Sequence, residues 1–399
     1  MTQRIRPGTV AALALLLAAA TGCTGQQPPA PAPSAPPSAA RGAGGQDADG
    51  PRPFTLLASG DVLPHSSVID RAGTDAGGQG YDFAPMLKGV APVVSRADLA
   101  ICHMETVYGK EGGPYTGYPS FKSPPEVATA LRATGFDSCS TASNHTLDDG
   151  SEGVDRTLGA LDAAGIRHAG SARSAAEAAR PTILPAGPGE RAAKVAHLAY
   201  TYGTNDIPLP AGKPWTVNVT DERKIVAEAR KARRAGADVV VLSAHWGTEW
   251  QDEPDAGQLD LAQRLTASQQ DGRPDLDLII GTHAHVPQAY EKVNGTWVVY
   301  GMGDQIAGAM INYQGVQDPR GNQSSMGRFT FAPPARPGGR WRVKKAEFVP
   351  QWYDTTTGRV VNLNTAIEGG AEHHRPVRDR IRDVVLGRGA EADGLVMGE

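Results

Sequence analysis

Cysteine, aromatic side chains and runs of like charge are all scarce in this chain. Three of its 399 residues are cysteine, so a metal site here is expected to draw on nitrogen and oxygen ligands rather than on the thiolates of an iron–sulfur cluster. Aromatic residues make up 6% and are scattered, the densest basic stretch, RKARR at 230–234, closes a segment that also carries Asp and Glu, and the formal net charge is −4 with the signs mixed. A nucleic-acid partner is therefore not expected, because such surfaces concentrate cations and stacking rings. Beyond the first residues no stretch is apolar enough to cross a bilayer. No internal repeat is present, and no domain boundary is visible after about residue 53.

The first residues read as a secretion signal. MTQRIRPG supplies two arginines, TVAALALLLAAA is an apolar stretch too short to span a membrane with ease, and small residues precede Cys23. A cysteine so placed resembles the bacterial lipobox, in which the cysteine is acylated and becomes the mature N-terminus; Ala20 stands where most lipoboxes have Leu. Residues 1–23 are expected to be a lipoprotein signal peptide. Residues 24–52 are rich in Pro, Ala, Gly and Ser, and they are expected to form a disordered tether that cannot bury enough surface to offset its ordering entropy. The protein would then be extracytoplasmic and lipid-anchored to the cell membrane through Cys23, or otherwise secreted. Cys102 and Cys139 sit inside apolar strand patterns. That compartment permits a disulfide, yet both positions read as buried free thiols, since cysteine is a common small core residue.

Residues 53–399 alternate between strand-like and helix-like segments, which argues for an α/β domain with mixed sheets. Five apolar strands end in residues that can bind a metal. They are FTLLASGD at Asp61, DLAICHME at Glu105, FDSCSTASNH at Asn144 and His145, VVVLSAH at His245, and LIIGTHAH at His283 and His285. In α/β folds ligands bind outside the carboxyl ends of the strands. Singly, each has a plain explanation: a Gly-Asp turn, an Asx turn at SNHT, a His beside a core Trp. Together they describe a constructed site. Mixed nitrogen and oxygen ligands suit one or two divalent ions, Mn, Fe, Zn or Mg, rather than copper. Two such ions can clamp a tetrahedral or in-line transition state. His145, next to a ligand Asn144, would be free as general acid or oxyanion stabiliser. His65, and His103 on the same strand face as Glu105, are further candidates. His168, His197, His373 and His374 are expected at the surface or in structural roles. The loops at 108–120 and 307–328 are candidates for substrate contact, or else plain surface loops.

The segments SGDVL, DLAICHMET, GFDSCSTASNHTLDDG, LDAAGIRHAGSARSAAEAARP, VVVLSAHWGTEW, IIGTHAHVPQ and VVYGMGD follow one another in this order. Together they resemble the CapA family of poly-gamma-glutamate capsule proteins, within the calcineurin-like metallophosphoesterase superfamily. The resemblance implies a four-layer α-β-β-α sandwich with the site at one sheet edge. It implies metal-ligand roles for Asp61, Glu105, Asn144, His245, His283 and His285, and it puts His145 in the catalytic-His position. The chain also departs from that pattern. Leu63 stands where the superfamily's first motif has His, Glu105 replaces an Asp, and His103 and Asp304 stand where the family commonly has Asn. Metal number and identity are therefore left open, and Asp304 joins the possible site residues. The activity implied is metal-dependent hydrolysis or transfer on poly-gamma-glutamate, another anionic envelope polymer, or a small phosphoester or peptide. Two alternatives stand beside it: a non-catalytic polymer-binding or assembly component of capsule biosynthesis, and a metal-independent Asp/His acid–base enzyme of the peptide-epimerase type.

Overall fold

The structure, a computed structural model, describes residues 51–336 and 338–399. The signal peptide, Cys23 and nearly all of the tether expected from the sequence lie outside the described residues. The early strands are β1 (Phe54–Val62), β2 (Leu99–Met104), β3 (Ser138–Ser140), β4 (Arg167–Ala169), β5 (Thr182–Ala186), β6 (Ala193–Thr201) and β7 (Val239–His245). A small pair, β8 (Gln269–Gln270) and β9 (Arg273–Pro274), precedes β10 (Leu278–Thr282), β11 (Tyr290–Val293), β12 (Thr296–Val299) and β13 (Asp304–Ile306). The chain closes with β14 (Gln323–Ala332), β15 (Arg342–Asp354), β16 (Arg359–Asn362) and β17 (Leu395–Met397). One sheet runs β16-β15-β14-β1-β2-β3-β4, with β13 beside β1 and β17 beside β15; the other runs β11-β12-β10-β7-β6-β5.

Alternation along each strand sorts the side chains into three cores. Leu56 and Ala58 of β1 join Val239, Val241, Leu278 and Ile280 between the two sheets. Leu57, one residue out of phase, packs with Ala100, Leu131 and Leu158 under the outer helices of the first sheet. Val240, Leu242 and Ile279 turn the other way and pack on Ile225, Ala229, Ala262 and Leu265 of the helices covering the second sheet. The result is a four-layer α-β-β-α sandwich, as expected. Strands buried on both faces explain why the sequence shows continuous apolar runs rather than alternation. Each fully buried Val, Leu or Ile contributes about 1.5–3 kcal/mol. The helices stop where the sequence places glycine: Gly135 and Gly165 cap helices Glu126–Thr134 and Gly150–Ala164 in the left-handed region, at φ 114° and 77°.

One sequence expectation is corrected. Cys102 and Cys139 are not free thiols; they form a disulfide, with Cα atoms 4.4 Å apart. They are register partners on the neighbouring parallel strands β2 and β3, so both side chains leave the same face of the sheet. Register between two strands is not legible in either segment alone. His197 is structural, as expected. It is buried, and its Nδ1 and Nε2 lie 2.9 Å from the Ser138 and Ser243 hydroxyls, one from each sheet.

Candidate metal centre

The site lies at the carboxyl ends of β1, β2, β3, β7 and β10, where close backbone approach fixes its first residues. A Cβ on Gly60 would sit 1.7 Å from the Gly303 carbonyl oxygen, so only glycine lets β1 reach the segment before β13. That approach makes Asp61 the register partner of Asp304 on one side and of His103 on the other. After β10 the backbone turns sharply: His283 and His285 have φ of 93° and 58°, a region non-glycine residues seldom occupy outside functional turns. The His283 amide donates to Asp61 Oδ2 at 3.1 Å, which ties this turn to the end of β1.

Four overlapping sets of ligand atoms lie within 4.8 Å of one another: Asp61–His103–His245, Glu105–His245–His283, Glu249–His283–His285, and Asp61–Glu105–His285–Asp304. Asn144 belongs with them, because His245 Nε2 is 2.8 Å from Asn144 Oδ1 and 3.9 Å from Glu105 Oε1. Every sequence-nominated ligand is therefore gathered in one place, together with His103 and Asp304. His65 is close by but in none of these sets. Its ring meets Phe121 edge-on at 5.1 Å, and burial pushes it down to about 4. Glu249 was missed by the sequence reading. It stands in HWGTEW, four residues past His245, on a turn that no periodicity marks.

The electrostatics of the cluster suit a cation. Asp61 Oδ1, both Glu105 oxygens, Asp304 Oδ2, His103 Nε2 and His283 Nδ1 are buried without a hydrogen-bond partner. Burial, and then the Asp304 charge, pushes Asp61 well above the usual carboxylate range; burial, and then Asp61, does the same to Glu105. Burial pushes His103 down to about 3 and His245 and His283 well below 6.5, which leaves the neutral imidazoles that bind metals. Burial also disfavours charge on His285, but Asp304, 3.0 Å from its Nδ1, outweighs that and raises it. Unpartnered buried carboxylates are expensive, and no Lys or Arg is ion-paired to Asp61, Glu105 or Asp304 among the described residues. A divalent ion is the partner that fits this donor set.

Other side chains orient the cluster. Thr282 Oγ1 is 3.0 Å from His245 Nδ1, which leaves Nε2 facing the site. Asn205 accepts from the Asn144 amide at 3.1 Å, so Asn144 Oδ1 faces inward. His145 Nδ1 lies 2.8 Å from Asp148 Oδ2, and its ring meets Phe121 edge-on at 4.7 Å. Leu63, at the position where the resemblance leads one to expect a ligand, packs with Phe121, Ala307 and Met310. Around the mouth stand Tyr202, whose ring lies 4.5 Å from that of His283, and Tyr118, which contacts His65 and Phe121. Tyr118 and Tyr313, both more than 70% exposed, come from the two loops nominated for substrate contact.

Comparison with known proteins gives the family of the chain. Residues 55–309 match the family described as "Bacterial capsule synthesis protein PGA_cap". A "Probable polyglutamine synthesis accessory protein" of Mycobacterium tuberculosis is 26% identical over 226 residues, 55% of this chain and 57% of that protein. The "PGA biosynthesis protein CapA" of Bacillus subtilis is 27% identical over 184 residues, 45% of each chain. The chain thus spans about half the length of the curated relatives it matches. Among solved structures, the calcineurin-like phosphoesterase YfkN of Bacillus subtilis is 16% identical with a TM-score of 0.46, covering 83% of this chain and 99% of that one. A 5'-nucleotidase precursor of Thermus thermophilus is 14% identical with a TM-score of 0.44, covering 82% of this chain and 59% of that one. Neither likeness bears on activity.

Proposed function

The chain belongs to the PGA_cap family of bacterial capsule synthesis proteins, and we propose that it is a metal-dependent hydrolase or transferase acting on poly-gamma-glutamate or another anionic envelope polymer, or on a small phosphoester or peptide. The observation that carries this reading is the convergence of three buried carboxylates, with unpartnered oxygens, on a group of neutral imidazoles. Asp61, Glu105, Asn144, His245, His283 and His285, with His103, Asp304 and Glu249 at hand, would hold one or two ions of Mn, Fe, Zn or Mg. Such an ion, when bound, supplies Lewis-acid polarisation and a water that ionises near neutral pH.

The protein's own groups supply position and protons. Asp148 accepts from His145 Nδ1–H, which orients the ring; when His145 is protonated, its Nε2–H is the proton that can go to the departing atom. Thr282 and Asn205 hold His245 and Asn144 in their inward orientation, the role outer partners play at metal sites. Phe121 and Tyr202 cover the rings of His145 and His283 and limit water on that side. Extracytoplasmic placement with a lipid anchor at Cys23 is part of the proposal. The Cys102–Cys139 disulfide supports it, because such bonds persist in oxidising compartments.

The test is turnover on a panel of polyglutamate, peptide and phosphoester substrates, for the parent and for Asp61→Asn and His283→Ala. Turnover lost in both folded variants supports the proposal, and turnover retained in either refutes it. Polyglutamate binding that persists in His145→Ala, with no turnover in any form, would transfer the site to polymer holding.

A further inference from the structure

The two ends of the sandwich differ in charge. β1, β2, β7 and β10 deliver their site residues at their carboxyl ends, so their amino ends gather at the opposite end of the fold. The chain enters there, at Pro51–Phe54. Register places the other parts of this end: Phe54 opposite Phe331, Ala332 opposite Arg342, Val195 opposite Val239, and Leu278 opposite Trp297. Arg340, from the β14–β15 hairpin, donates to the Gly295 carbonyl and the Thr296 hydroxyl at 3.1 Å, joining hairpins of the two sheets. β7 spans seven residues from this end to His245, about 20 Å at the usual strand rise.

Cations crowd this end, most of them near the ends of strands and of one helix. Lys194, Arg234, Lys292, Arg336, Arg342 and Lys344 are all exposed. None has a carboxylate partner among the described residues; Lys292 lies over the Trp297 ring at 5.6 Å. The acidic side chains nearby are fewer or already engaged. Glu190 and Asp271 are exposed, Asp98, also exposed, accepts from the Thr55 amide and hydroxyl, Asp238 accepts from the Lys194 amide, Asp277 is paired with Arg233, and Glu347 with Arg328 and Lys345. The whole chain carries a net charge of −4, so this positive end is a local feature.

We propose that this end is a membrane-facing surface that binds the anionic phosphates of lipid headgroups and holds the metal centre on the far side, away from the bilayer. Three features select a lipid surface over a polymer strand. The cations come from the ends of β6, β11 and β15, from the end of helix Glu222–Arg234 and from the β14–β15 connection, so the charge is spread over several elements rather than along one. A cavity of about 90 Å³ lined by Lys292, Arg340, Arg342 and Trp341, with Asp277 at its wall, has room for a phosphate-sized group. The chain leaves the fold at this same end, 28 residues downstream of Cys23, the residue proposed to carry lipid. The inference stands on charge and chain entry, and it is independent of the metal reading.

Residues 50–399 form one compact unit that contains all the cores, so a chain beginning at residue 51 can be tested without the apolar N-terminal stretch. The experiment is vesicle flotation with phosphatidylcholine alone and with added phosphatidylglycerol, at low and high salt. Binding is expected only to vesicles containing phosphatidylglycerol, with release by salt. Each neutralised cation should weaken it about fivefold, so the Arg336→Gln/Arg342→Gln/Lys344→Gln triple variant should lose about a hundredfold. Because these side chains are exposed and unpaired, thermal unfolding and metal content of the variant should match the parent. Equal binding to both vesicle types, or undiminished binding by the triple variant, overturns the proposal. Capture of soluble polyglutamate in place of vesicles, weakened by the same substitutions, overturns it in favour of a polymer.

Discussion

Breaking the Cys102–Cys139 bond should destabilise the fold by about 4 kcal/mol. The bond joins residues 37 apart in sequence. The chain-entropy relation for a loop of that length gives about 13 cal/mol/K removed from the unfolded ensemble, or about 4 kcal/mol at room temperature. The effect should also be local. β3 is three residues long and is held by its pairing with β2 and β4. These two tied strands lead directly to Glu105 and Asn144, so metal affinity should fall along with stability. The assay is urea unfolding of the chain from residue 51, oxidised, reduced, and as Cys102→Ala/Cys139→Ala. Reduction isolates the crosslink, while the double variant adds the loss of two buried sulfurs. Both should lower the midpoint with little change in slope. Equal stability with and without reductant would refute the reasoning, as would two titratable thiols in the unfolded, unreduced chain.

Other perturbations have defined outcomes. His145→Ala should lower turnover by about 10²–10⁴-fold with metal content unchanged, and Asp148→Asn, which weakens the 2.8 Å contact, should lower it less. Parent-level turnover in both would remove His145 from proton transfer. Gly60→Ala forces a Cβ to within 1.7 Å of the Gly303 oxygen and should cost about 3 kcal/mol or more together with metal binding; a stable, metal-loaded variant would contradict the proposed β1–β13 approach. Burial holds His197 at about 3, against an ordinary 6.5. Between those values the unfolded chain binds a proton there that the folded chain does not, so stability falls as pH drops from 6.5 toward 3. In His197→Gln the slope of unfolding free energy against pH should be shallower in that window, and an unchanged slope would assign the acid sensitivity elsewhere.

The strands and their order along the chain were legible because buried β strands leave unbroken apolar runs, as in ADVVVLSAH and DLDLIIGTHAH. The ligand positions were legible for the same reason: each run ends in its own Asp, Glu, Asn or His. Pairing was not legible. Nothing in DLAICHME or FDSCSTA announces that Cys102 faces Cys139, because that depends on which strands become neighbours and in what register. Glu249 was hidden in the same way. It reaches His283 and His285 from a turn, and its place is set by the fold of Trp246–Trp250 rather than by any strand end. His103 was legible from its place on the same strand face as Glu105, whereas Asp304 entered only through a departure from the family pattern; the β1 register puts both directly beside Asp61. The charge difference between the two ends could not be read along the chain at all, since its cations come from five separated segments.

The most direct test of the central claim is metal content by elemental mass spectrometry on the chain from residue 51, beside its His283→Ala variant. His283 takes part in two of the four ligand sets. The expected result is one or two equivalents of a divalent ion in the parent and a clear loss in the variant. No metal in either protein after reconstitution with Mn, Fe, Zn and Mg would contradict the reading of Asp61, Glu105, Asn144, His245, His283 and His285 as a metal centre.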